Sequence, residues 1–206
     1  IIGTIGSNMR AGIDYEHNRK DAEQNMVMSG SNKFLTYLWP GVETEKLGIF
    51  FEKDLGNISY GLRYDQVELD PTKAAEDAGG MMFKTANEVY STDYDGTIVA
   101  TKREYDNISG FLRFTKDIDP GETYINLSVN ERAPDTTELF HAKWNASSEM
   151  MRHVGNPNLS SERHMTIEVG YEGMLMGNHI TGSVYYNDVD DYCLLYTSPS
   201  PRDTAI

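Results

Sequence analysis

Apolar and polar residues alternate in separate short runs along most of this chain. Met9, Ala11, Ile13 and Tyr15 alternate with Arg10, Gly12, Asp14 and Glu16. Leu47, Ile49 and Phe51 alternate with Gly48, Phe50 and Glu52, and Ile58, Tyr60, Leu62 and Tyr64 with Ser59, Gly61, Arg63 and Asp65. Similar runs span Ile108 to Phe114, Tyr124 to Asn130, Met165 to Glu172 and Ile180 to Tyr186. A period of two marks a strand with one covered face, so the pattern predicts about seven strands.

The connections alternate as well. Asp54-Leu55-Gly56-Asn57, the turn Asp117 to Gly121 around Asp119-Pro120-Gly121, and Gly173 to Asn178 are short and rich in turn formers. Between them lie long polar segments, expected as loops: His17 to Lys33, about Glu68 to Glu104, and Glu131 to Glu162. Loops this long are uncommon in a compact soluble domain. Long extracellular loops alternating with short periplasmic turns are the habit of a membrane β-barrel. Periodicity alone leaves two readings open. The apolar faces meet lipid around a polar lumen, or they pack on each other in a soluble β-rich binding or adhesion protein. Loop asymmetry, and Tyr15, Tyr64, Tyr171 and Tyr186 near strand ends, favour lipid. The fold class is therefore all-β: an antiparallel transmembrane β-barrel fragment, about seven strands of a larger barrel.

Composition agrees. Mean hydropathy is −0.53, and no apolar run approaches the ~20 residues of a spanning helix. A barrel keeps hydropathy low because its strands alternate. A net charge of −14 argues against a nucleic-acid partner; the barrel reading makes outer-membrane lipid an expected partner. Ile1 to Ile5 reads as the middle of an element, which suggests a truncated N-terminus. Cys193 to Asp203 breaks the preceding composition and resembles the in-frame translation of a transposase sequencing adapter. Residues 1–192 are thus expected to be barrel, and residues 193–206 a sequencing artefact. Cys193 is the only cysteine, so residues 1–192 hold no disulfide and no thiolate metal site.

Two motifs follow the fifth strand. Arg132-Ala133-Pro134 leads to Glu138-Leu139-Phe140, and Gly155-Asn156-Pro157-Asn158-Leu159-Ser160-Ser161-Glu162 precedes a strand carrying Glu168 and Gly170. Their order and separation resemble those of TonB-dependent outer-membrane receptors. The motif residues are Arg132, Pro134, Glu138, Leu139, Gly155, Asn156, Pro157, Leu159 and Glu162. Val184 to Tyr192 resembles the strand that follows in that family. The chain departs from the family twice: Glu131 stands where an aromatic is usual, and Ser161 where proline is. The resemblance implies a bacterial outer-membrane location and a barrel of about 22 strands around an N-terminal plug. It also implies energy-driven uptake through the partner TonB, whose contact box and plug would lie ahead of this segment.

Tyr37-Leu38-Trp39-Pro40-Gly41-Val42 and Arg152-His153-Val154-Gly155 are similar to the copper-receptor branch of that family. Ten methionines fit this reading, because a thioether is a soft ligand that selects Cu(I), and imidazole suits copper too. Met26, Met28, Met150, Met151 and His153, all in expected external loops, form the candidate substrate site. Methionine is equally a flexible apolar filler. A siderophore or another nutrient chelate, such as an iron chelate, is the alternative cargo. His17, His141, His164 and His179 lack mutual spacing for a closed metal site and read as surface or interface histidines. There is no nucleophile elbow and no HExxH, so no catalytic residue is assigned, no cofactor is required, and the chain is not read as an enzyme.

Overall fold

The computed structural model describes residues 2–4, 8–28, 30–76, 83–94, 96, 98–145 and 152–192. One antiparallel sheet carries eight strands, each long strand hydrogen-bonded to its neighbours in the order β1-β2-β3-β4-β5-β6-β9-β10. These are β1 (Ile2–Thr4), β2 (Met9–Met28), β3 (Ser31–Asp54), β4 (Ile58–Pro71), β5 (Arg103–Ile118), β6 (Gly121–Arg132), β9 (Glu162–Leu175) and β10 (Asn178–Asp190). Two short helices, α1 (Ala86–Asp93) and α2 (Thr136–Phe140), and a small hairpin of β7 (Ala142–Lys143) and β8 (His153–Val154), fill the long connections. The expected strands are all present, and β1 is a short addition. The proposed artefact segment, residues 193–206, lies outside the described residues.

Register aligns the apolar positions into rows across the sheet. Ile13, Ile49, Tyr64 and Ile108 share one row. Phe51, Leu62, Gly110, Val129 and Met165 form the next. Tyr60, Leu112, Leu127, Ile167 and Tyr186 follow, then Ile58, Phe114, Ile125, Val169 and Val184. From Ile58 to Tyr64 these rows cover about 20 Å of strand, close to the ~25 Å apolar band of an outer-membrane barrel. The side chains do not pack on one another across a dry interior: Leu62 is 62% exposed and Ile108 60%. The soluble reading required them to be buried. Lipid is the medium that would cover such a band.

The opposite face is polar and paired. The Arg63 guanidinium donates to Asp65 Oδ2 at 2.6 Å and to Asp14 Oδ1 at 3.0 Å, and Lys46 Nζ stands 3.4 Å from Asp65. Gly48 lies beneath this cluster because a Cβ there would meet Arg63 Nη2 at 2.3 Å. The missing side chain leaves room for the guanidinium over the Gly48 backbone.

The packed core lies elsewhere. Leu69, Val42, Val89, Tyr90, Leu139 and Phe140 are buried together where the ends of β3 and β4 meet the helices. This corrects two expectations. The segment His17 to Lys33 is not an irregular loop. β2 and β3 continue through it as a ribbon to a tight tip at Met28 and Ser31, with register shifts around Ala22 and Gln24. The other long connections are partly folded rather than irregular. The physical reason is shared: above the lipid, both faces of a ribbon meet water or protein, so alternation fades while the ladder bonds persist. Each helix is announced by a capping box, Thr85 with Glu88 and Asp135 with Glu138.

The apolar band predicts behaviour in solution. Expressed alone in aqueous buffer, the chain should aggregate or require detergent, since its band and sheet edges lack partners. Size-exclusion chromatography with light scattering checks this; a monodisperse monomer that melts cooperatively would contradict it.

Candidate functional site

The motif residues gather into one clasp at the long-loop end of the wall. Arg132 ends β6 and donates to both oxygens of Glu138, at 2.9 and 3.0 Å, and to Glu162 Oε2 at 2.9 Å. Glu138 also accepts from the Asp135 backbone N–H at 2.7 Å, closing the cap of α2. Pro134 is fully buried just before that cap, and Leu139 and Phe140 point into the core. The Gly155 segment then runs back along α2: Gly155 N–H donates to the His141 carbonyl at 2.7 Å, and Asn156 N–H to the Glu138 carbonyl at 2.8 Å. A Cβ on Gly155 would stand 2.7 Å from that Glu138 oxygen, so only glycine fits. Pro157 is buried and Leu159 packs against the core. Glu162 opens β9, is nearly buried, and also receives His164 Nε2 at 2.5 Å. One guanidinium therefore ties together the end of one strand, the helix and the start of the next strand.

Both departures from the family pattern have local partners. Glu131 Oε2 accepts the Ile108 backbone N–H at 2.8 Å, just beyond the last β5–β6 register pair, Gly110 with Val129. Ser161 Oγ donates to the buried Asn107 Oδ1 at 2.6 Å, a bond proline could not make.

The candidate substrate residues are distributed as follows. Met26 is partly exposed near the tip of the β2–β3 ribbon, opposite Lys33. Met28 pairs with Ser31 at the tip, its side chain outside the described residues. Met150 and Met151 also lie outside the described residues. His153 is half-buried in β8, across from Lys143. The described flanks of the 146–151 segment are firmly seated. Gln24 Nε2 donates to the Trp144 carbonyl at 2.8 Å and Trp144 N–H donates to Gln24 Oε1 at 3.0 Å. Arg152 donates from Nε to the Asn145 carbonyl at 3.1 Å and from Nη1 to Asp93 at 3.2 Å. Of the described flanks, Trp144 is thus seated on the ribbon two residues from Met26, and His153 pairs with Lys143.

Reading spacing alone missed the aromatic and cationic grouping here. Trp144 is buried, with Lys84 4.9 Å and Arg152 4.2 Å from its ring centroid, while Lys20 covers Trp39 at 4.1 Å. These residues are distant in sequence; only the packing of the connections brings them together. Each of the four histidines named from sequence has its own partner. His17 faces Glu45, His164 faces Glu162 and His179 faces Glu172, each singly. His141 sits 4.8 Å from the Trp39 ring and donates from Nδ1 to the His153 carbonyl at 2.8 Å. Among the described residues no group of three or more His, Cys, Asp or Glu is arranged to hold a metal.

Burial lowers the His141 pKa from 6.5, helped by the neighbouring Lys20 and Lys143 and opposed by the bond to His153. The folded state therefore favours the neutral ring. Its stabilising contribution is complete above pH 6.5 and is lost as pH falls through the lower folded value. Acidification toward pH 5 should accordingly loosen the loops and quench Trp39 fluorescence. His141→Gln, with Trp144→Phe removing the other indole, should flatten that response; a profile the same with and without His141 would refute it. For the clasp, Arg132→Ala leaves nearly buried Glu162 short of a cation. About half of Arg132 is in water, which trims the expected cost to roughly 1–2 kcal/mol. External protease should then cleave residues 133–161 faster in folded, detergent-solubilised protein, and unchanged cleavage would mean that the clasp does not hold the loops.

Comparison with known proteins adds an independent finding. The family model described as TonB dependent receptor-like, beta-barrel matches residues 2–205. Among solved structures, the copper transporter OprC superposes with a TM-score of 0.64 over 89% of this chain at 18% identity. A double mutant of the Serratia marcescens hemophore receptor HasR, in complex with its hemophore HasA and heme, gives a TM-score of 0.43 over 89% of this chain, also at 18% identity. The chain spans 27% of the OprC chain and 34% of the HasR chain. No curated protein sequence matches it.

Proposed function

Because the chain belongs to the TonB-dependent receptor family, whose members are outer-membrane transporters of Gram-negative bacteria and not enzymes, we propose that the complete receptor imports a metal ion or metal chelate, and specifically copper. TonB, acting through a region ahead of this segment, is the energy-coupling partner of this reading. The observation that carries the copper assignment is the two-bond seat of Trp144 on Gln24. It seats Trp144 beside Gln24, two residues before Met26 on the same ribbon. Met150, Met151 and His153 follow Trp144 in sequence, and thioethers with an imidazole are a soft donor set suited to Cu(I). The OprC structure is of a copper transporter; at 18% identity its likeness supports the fold, and the donors support the metal.

A second reading has its own support. Lys84, Arg152 and Lys20, gathered around Trp144 and Trp39, make this part of the loops cationic, which favours an anionic chelate, such as a siderophore complex, over a bare cation. Uptake by cells carrying the complete gene separates the two. Under metal scarcity, deleting the gene should abolish high-affinity, energy-dependent import of copper. Met150→Ala with Met151→Ala should weaken Cu(I) binding about tenfold, and Met26→Ala should do so in the same direction. Intact copper import in the deletion strain would end the copper assignment, and loss of ferric-chelate import in its place would establish the second reading.

A further inference from the structure

The short turn between β9 and β10 breaks a local rule. It joins Leu175 to Asn178 through Met176 and Gly177, both with positive φ, at 51° and 80°. That pattern belongs to a type I′ hairpin turn, whose first central residue is ordinarily Asn, Asp or Gly. The Cβ of a methionine disfavours this backbone conformation. No packing compensates, because Met176 is 94% exposed, more than any other large apolar residue described. The fold gains nothing from methionine here; an asparagine would serve it better.

Neighbouring positions supply matching donors. Met174 and His179 lie directly opposite each other across the same turn. Parity puts both on the polar face of the wall, opposite to the face of Met165, Ile167 and Val169. Side chains opposed in this way start about 5 Å apart at Cβ, a span that one metal ion bridges. Among the described residues His179 is the only histidine paired across a strand with a methionine. Its Nε2 stands 3.4 Å from Glu172 Oε1. A carboxylate on one ring nitrogen orients the imidazole and leaves Nδ1 to face a metal. Glu172 also ends a row of inward carboxylates, Asp117, Glu122 and Glu172, in register across β5, β6 and β9. Arg113 lies 3.9 Å from Glu122 and offsets one of them, so this end of the wall attracts cations.

We propose that Met174, Met176 and His179 form a Cu(I) site at the short-turn end of the wall. Two thioethers and an imidazole are a soft donor set, which selects Cu(I) over ions that prefer oxygen. Met176, unbranched and free of packing, closes over the ion from the turn. Short turns lie on the periplasmic side in this architecture, so the site stands where an ion leaves the lumen. That exit role rests on the copper reading above; the donor set does not.

Cu(I) retention by the complete receptor in detergent, measured under reducing conditions against a chromogenic Cu(I) chelator, tests the site. A background of Met26→Ala, Met150→Ala and Met151→Ala removes the loop thioethers and should still hold Cu(I). Met174→Leu, Met176→Asn and His179→Gln, added singly, should each weaken that binding about tenfold. Met176→Asn gives the turn the residue it prefers, so its loss of Cu(I) cannot come from misfolding. Met165→Leu, on the opposite face of β9, should bind as the background does. A background that holds no Cu(I), retention unchanged in the site variants, or an equal loss in Met165→Leu would each overturn the proposal. Site variants that lose Cu(I), in a receptor whose deletion leaves copper import intact, would keep the site and end only the import reading. Import lost on deletion, with Cu(I) binding unchanged in the site variants, would end the site and keep that reading.

Discussion

A β-sheet satisfies its backbone only through its neighbours, and this sheet does so along strands of up to 24 residues. Once the ladder is complete, side chains must divide between two faces by parity. Here the division is nearly clean: rows of Ile, Leu, Val and aromatic residues on one side, and paired charges and small polar groups on the other. Among the described residues the apolar rows stay exposed. In an outer-membrane barrel of the family this chain belongs to, such rows form the wall, since in water they would drive association rather than folding.

The wall and the loops are held by different forces. Lipid supplies the medium for the wall, so its strands need no conventional core. The connections have no lipid to use and build a core of their own, centred on Tyr90, Leu69, Leu139 and Phe140. The Tyr90 hydroxyl donates to the Phe140 carbonyl at 2.8 Å, joining α1 to α2 inside it. Burial pushes that phenol's pKa far upward, which keeps it a neutral donor. The loops are thus a small packed module seated on the rim of the wall.

The legible part of the chain was the part whose solvent changes with period two. All the long strands, three tight turns and the outward face follow from alternation, because lipid on one side and a polar lumen on the other enforce it. Beyond the lipid that contrast disappears. The ribbon from His17 to Lys33 has polar residues on both faces, so it read as a loop although its ladder is unbroken from Asn25 to Met28. The motif residues were legible by resemblance but their common purpose was not. Arg132, Glu138 and Glu162 are up to 30 residues apart, and only the fold shows one guanidinium serving both acids. Gln24 with Trp144, 120 residues apart, had no local signal at all.

The junction between the two systems is narrow, and this bears on how substitutions act. Arg132 belongs to the wall by its backbone and to the loop module by its side chain. Glu162 does the reverse, closing the module and beginning β9. The two residues where this chain departs from its family stand next to these, Glu131 beside Arg132 and Ser161 beside Glu162. Each makes a bond that an aromatic or a proline would not make: Glu131 to the Ile108 amide, Ser161 to Asn107. The departures therefore add ties on β5 at the same seam. A loop module fastened this way can tolerate changes at its exposed residues without disturbing the wall, because the strands end at a polar clasp before the connections begin.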